Sequence, residues 1–123
     1  MRFAILDTSS ILFGFSNMKD TFEIVKERFP GRGILVSKGV LRELAGISLN
    51  RGRRGTSARA ALEAIRYKKI EVDNDNKDVD PWVVAAARRY PHSVVITNDT
   101  ELYKKLKNIN IESFKLTKDG HLK

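Results

Sequence analysis

The chain contains no cysteine, only three prolines, one tryptophan and two histidines, and no apolar run approaching the ~18 residues of a membrane-spanning helix. The missing cysteine excludes thiolate zinc sites, iron–sulfur clusters, cysteine nucleophiles and disulfides, and suits a reducing compartment. His92 and His121 have no partner at a useful spacing, so a Ser-His-Asp triad has no support. The glycines fit neither G-x-x-x-x-G-K-[ST] nor G-x-G-x-x-G, which removes the two common phosphate-cradling loops. Acid is the scarcer charge: 15 Asp and Glu stand against 23 Lys and Arg, a net +8. Such a balance favours a polyanionic partner. The opening MRFAILDTSS meets Asp7 after four apolar residues, shorter than the apolar region of a secretion signal. The expected setting is the cytoplasm, with no membrane association.

Apolar residues, by contrast, suffice for a core. Leu, Ile, Val and Phe make up about 29% of the 123 residues, above the ~20% below which chains stay disordered. A single domain over 1–123 is expected, able to bury somewhat over ~60% of its unfolded surface. Short runs at Arg2–Leu6 and Ile34–Val36 read as buried strands, Ile70–Val72 and Val94–Ile96 as a third and fourth strand, with a last one over Ile109–Phe114. Between them lie helical patterns: one capped by Ser9 or Ser10 through Phe13, Asp20–Arg28, one capped by Ser37, one capped by Thr56 or Ser57, one with Pro81 as its first residue through Arg89, and one opened by an Asn98-x-x-Glu101 capping box. Residues 50–57, NRGRRGTS, lack any apolar side chain and read as a mobile basic loop. Strands alternating with helices predict an α/β sandwich around a parallel sheet.

In such a sheet all strand C-termini share one edge, and ligands bind just outside it. Asp7 follows the first strand, Glu43 lies in the second turn of the helix after the second, Asp80 opens the helix after the third, and Asp99 follows the fourth. Four acids from distant points are thereby sent to one edge. On a helical wheel Glu43 lies about 40° from Ile47 and about 60° from Val40, bordering the apolar stripe. Each acid alone has an ordinary explanation: an N-cap for Asp80, a first-turn charge for Asp99, a rim charge for Glu43. Asp7 is harder to explain in this way, because an acid ending a buried strand brings the strand no structural benefit. Converging carboxylates raise one another's pKa unless a counter-ion is present, and hard oxygen ligands suit Mg²⁺ or Mn²⁺. With a net charge of +8, metal-assisted hydrolysis of a phosphodiester follows.

Asp7-Thr8-Ser9, Val40-x-x-Glu43-Leu44, Asp80 before Val83-Val84-Ala85, and Thr97-Asn98-Asp99 with Leu102 together resemble the PIN domain, in the family's order over essentially the whole chain. The resemblance implies a three-layer α/β sandwich with a central, mostly parallel sheet of four to five strands. It also implies an Mg²⁺- or Mn²⁺-dependent endoribonuclease. Asp7, Glu43, Asp80 and Asp99 become the catalytic and metal-ligating acids, supported by Ser9, Asp78, Thr97, Asn98 and Glu101. The T-N-D-x-x-L run looks like the PIN nucleases of ribosomal RNA processing, whose partners would be ribosome-assembly factors. The compact length also fits VapC-type toxins, whose partner is an antitoxin. A non-catalytic RNA-binding PIN domain is the third reading, and a homodimer is compatible with each. Pro81 departs from the processing subgroup, which carries a second acid there; Asp78 is the candidate substitute.

Residues 51–69 hold Arg51, Arg53, Arg54, Arg59, Arg66, Lys68 and Lys69 against Glu63 alone. Arg51, Arg53, Arg54 and Arg59 are the expected RNA contacts, giving affinity and salt dependence without sequence readout. Trp82 and Tyr103 are expected to pack in the core or at its rim.

Overall fold

Four successive apolar residues, Phe3–Leu6, form strand β1, and all four are buried, as expected of the central strand of a sheet covered on both faces. The computed structural model describes residues 2–123, in the order β1, α1 (Thr8–Ser16), α2 (Thr21–Arg28), β2 (Gly33–Ser37), α3 (Lys38–Ser48), α4 (Gly52–Tyr67), β3 (Glu71–Asp73), α5 (Val79–Arg89), β4 (Val94–Ile96), α6 (Thr100–Asn108) and β5 (Ser113–Phe114). The sheet runs β3-β2-β1-β4-β5, and every pairing is parallel. Right-handed crossovers put α1–α4 on one face and α5 and α6 on the other. Accordingly α1 and α3 both pack on α4, while α5 packs on β1 and β4. Trp82 and Phe22 are fully buried, on α5 and α2 respectively. Among the described residues no helix is long and apolar enough to cross a membrane.

Several boundaries differ from the sequence expectations. Helix α1 is capped by Asp7 and not by Ser9 or Ser10: the Asp7 carboxylate accepts the Ser10 amide, and the helix starts before both serines. Asp99, not Asn98, caps α6, accepting the Leu102 amide. In α5 Pro81 is the third residue and not the first; it is tolerated there because first-turn amides have no intrahelical acceptor. Asp80 therefore lies inside the first turn, and Asp78 holds the cap position without a side-chain cap bond. The last strand shrinks to Ser113–Phe114.

The largest correction concerns residues 50–57. Gly52–Ser57 are not a loop but the opening of α4, and Thr56 and Ser57 bond back to the Gly52 and Arg53 carbonyls instead of capping. The two glycines serve a tight helix–helix turn. Gly52 has φ +85°, and a Cβ on Gly55 would stand 1.8 Å from the Asn50 carbonyl oxygen. Arginine is a good helix former, so the polar run carries no signal against helix.

Candidate active site

The strand order sets the site's address. The direction in which successive strands are added reverses between β1, which leads toward β2, and β4, which is reached from β3 by crossing back over the sheet. The crevice beyond the C-terminal ends of two such strands is where open α/β sheets hold ligands. Leu6 pairs with Ile96, so Asp7 and Thr97 leave the sheet side by side at this point.

Asp7 is 2% exposed. One carboxylate oxygen accepts the Ser10 amide at 3.0 Å; the other accepts the Ser9 hydroxyl at 2.8 Å and the Thr97 hydroxyl. Burial pushes its pKa above the ordinary aspartate value, against the lowering effect of these hydrogen bonds. Thr97 also accepts the Asp99 amide at 3.1 Å, and Ser9 accepts the Asn98 amide at 2.9 Å. Asn98 is pinned in turn to both backbone groups of Leu116. The segment after β4 is thus stapled to the first turn of α1, and Asp99 is tied to Asp7 through one threonine.

Asp80 reaches the same edge from the first turn of α5. It is exposed, yet partial loss of hydration raises its pKa, and the charges of Asp99 and Glu43 raise it further, Glu101 less so. Lys105 opposes them. Glu43 is exposed on α3, more so than its wheel position implies, and borders a cleft shared with Ser9, Asn98 and Arg54. Asp99, Glu43 and Glu101 thus all bear on Asp80, while Asp7 is buried and bonded to the Thr97 hydroxyl. Among the described residues no three acids stand close enough to ligate one ion. Such spacing suits a hydrated cation: Mg²⁺ keeps several of its waters and is bound through one or two carboxylates together with substrate phosphate. The all-oxygen donor set around a solvent-facing Asp80, whose pKa its neighbours raise, fits Mg²⁺ or Mn²⁺.

Other expected residues are not brought together. The Asp78 carboxylate lies 4.0 Å from Arg42 and is not among the main charges that shift Asp80. Of the four arginines only Arg54 lines the cleft. Arg59 binds the Ser48 carbonyl and Thr56 and braces the α3–α4 turn, Arg53 borders a separate groove with Phe15 and Met18, and Arg51 is exposed. Trp82 is fully buried, its indole N–H donating to Asp73, and takes no part in the site. Sequence reasoning missed Thr8 and Asn17, which also line the cleft. For Asn17, the signal that could have found it was the continuation of α1 beyond Phe13.

Residues 4–118 match the family described as a PIN like domain. No curated protein matches the chain by sequence. Among solved structures, the PIN domain endonuclease Utp24 superposes with TM-score 0.76 at 21% identity, over 97% of this chain and 87% of that one. A domain of a functionally unknown protein from Methanocaldococcus jannaschii gives 0.66 at 17% identity, over 95% and 92%. VapBC-1 from nontypeable Haemophilus influenzae gives 0.53 at 16% identity, over 90% and 96%. At these identities the likeness to solved structures is one of fold.

Proposed function

The chain belongs to the PIN-like domain family, and from that premise we propose that it is a divalent-metal-dependent endoribonuclease. The carrying observation is that Asp99 and Glu43, from different elements, both raise the pKa of Asp80, while Thr97 bonds both the buried Asp7 carboxylate and the Asp99 amide. Acids used only as helix caps or rim charges have no reason to meet.

Asp7, Glu43, Asp80 and Asp99 would hold Mg²⁺ or Mn²⁺ largely through its bound waters, since no three described acids stand close enough to ligate it directly; the ion would supply positive charge to the phosphate and ease deprotonation of the attacking water. Ser9 and Thr97 fix the Asp7 carboxylate by donating to it, and Thr97 positions the Asp99 backbone. Arg54 at the cleft adds a cation for the RNA backbone. Water attacks phosphorus in line and the P–O3′ bond breaks, leaving a 5′-phosphate and a 3′-hydroxyl. The RNA is proposed to be a ribosomal precursor on the strength of the Thr97-Asn98-Asp99 and Leu102 run; an antitoxin encoded beside the gene would shift the reading to a toxin.

Purified protein should cleave RNA with Mg²⁺ or Mn²⁺, stop on chelation, and lose at least ~100-fold in rate on Asp80→Asn, as removal of electrostatic groups at active centres commonly does. Chelator-insensitive cleavage or 2′,3′-cyclic products would overturn the mechanism. RNA binding without cleavage under any divalent metal would leave an RNA-binding module.

A further inference from the structure

Beyond β5 the chain turns back on itself beside α6. Lys115 exchanges backbone hydrogen bonds with Lys123 at 2.8 and 2.9 Å, and Leu116 bridges Leu122. Such a pair puts both side chains on one face, where like charges directly opposite lower stability. The Lys115 ammonium also lies 4.9 Å from the ring centre of Tyr103, and that of Lys107 lies 5.1 Å from the same centre. An aromatic face attracts an ammonium, but two gathered at one ring repel each other. Among the described residues none of the three lysines enters an ion pair. Lys107 alone would be explained by its place in the last turn of α6, which favours a cation. Lys115 has no such reason: it donates to the Thr100 hydroxyl at 3.3 Å, in the first turn, where the dipole disfavours positive charge.

We infer that this face of α6 carries the RNA strand away from the acids, with Lys107 and Lys115 on two of its phosphates and Tyr103 holding both ammoniums in place. Thr100, Tyr103 and Lys107 share one side of the helix by their spacing, and the line they make starts at the residue after Asp99. A nine-residue helix is about 13 Å long, room for several nucleotides stacked at ~3.4 Å each. Lys107 is exposed, and Tyr103 and Lys115 are half-buried, so a strand can reach all three. Phosphates between the lysines would relieve the repulsion that the fold leaves uncompensated. Continuity with the acids favours RNA over a membrane surface as the polyanion. The inference rests on the reading of the acids as an RNA-cleaving site, and its test separates the two.

A labelled single-stranded oligoribonucleotide is titrated into chelated protein across salt concentrations. The double variant Lys107→Ala, Lys115→Ala should bind about fivefold more weakly, with the log–log salt slope reduced by up to about 1.4, some 0.7 for each phosphate no longer neutralised. It should melt no lower than the parent. Lys26→Ala with Arg66→Ala removes the same charge from exposed helical positions elsewhere and should change affinity much less. Tyr103→Leu should bind RNA about twofold more weakly, and Tyr103→Phe, which keeps the ring, should bind like the parent. In RNA cleavage the lysine variant should raise KM several-fold and leave kcat nearly unchanged. A lysine variant that binds RNA as tightly as the Lys26 and Arg66 control, or Tyr103→Leu indistinguishable from Tyr103→Phe, would overturn the track and leave the nuclease standing. So would binding to phosphatidylserine vesicles that the lysine variant loses while its RNA affinity stays intact. The expected losses in RNA binding, with no cleavage under any metal, would sink the nuclease and keep the track.

Discussion

Asp7 is held by hydroxyls and an amide, and no basic side chain pairs with it among the described residues. Its pKa in the folded chain lies above the unfolded value, and so does that of Asp80. Between the two values the folded state binds more protons than the unfolded state, so stability falls as pH rises through this window. Chelated protein should therefore melt progressively lower as pH is raised from about 4 toward neutrality. Asp7→Asn should flatten that slope, since the amide retains an oxygen for the Ser10 amide but has no charge to desolvate. Saturating Mg²⁺ should reverse the slope for the parent, because the cation binds the ionised carboxylates and competes with protons. Melting curves across pH, with and without metal, check all three outcomes. Asp7 was singled out because an acid brings no benefit to the buried strand that it ends. Its role as a cap was not legible, because Ser9 and Ser10 offered the same chemistry one turn along.

Among the elements, α4 departs most from expectation. Glycine and uninterrupted positive charge argued for mobility at 50–57, but the glycines are there for a close turn and the arginines for a helix. What the sequence conveyed correctly was the charge. The first turn of α4 contains no acid, and Arg51 at its cap position makes no side-chain cap bond. Cations at a helix N-terminus oppose the helix dipole by about 0.3–1 kcal/mol each. Replacing Arg51, Arg53 and Arg54 by Ala should leave the melting temperature unchanged or higher. The same variant should bind RNA more weakly, with the log–log salt slope reduced by about 0.7–0.9 for each phosphate that the arginines no longer neutralise. A binding titration across salt concentrations decides the matter: an unchanged slope would make these arginines a structural turn and nothing more. The caps of α1 and α6 show the same limit of sequence reading. In each, neighbouring polar residues competed for one position, and only the end of the preceding strand settled which residue lay outside the helix.

At the scale of the molecule, the alternation of strands and helices was enough to give a parallel sheet, and the sheet was enough to send four acids to one edge. The strand order was not legible, since β3 and β4 are adjacent in sequence yet separated by β2 and β1. That order makes the β1–β4 crevice the reversal point and leaves a patch of mutually repelling carboxylates on a chain of net charge +8. Asp80 is the residue with which to test whether the patch acts as one unit, because Asp99 also caps α6 and its replacement would mix two effects. Asp80 lies inside the first turn of α5 and is not its cap, so Asp80→Asn changes charge without removing a cap. If the acids share a site, losing one relieves repulsion, and chelated Asp80→Asn should melt no lower than the parent. If Asp80 merely serves the dipole of α5, the variant should lose about 0.3–1 kcal/mol whatever the metal. Adding Mg²⁺ or Mn²⁺ at ~100 times its dissociation constant should stabilise the parent by about 2.7 kcal/mol, since only the folded state presents the site. The same concentration should stabilise Asp80→Asn distinctly less. Thermal melting of both proteins in chelator and in metal reads out both effects. A variant that melts lower in chelator, with no metal response in either protein, would mean that the four acids meet at this edge without forming a site.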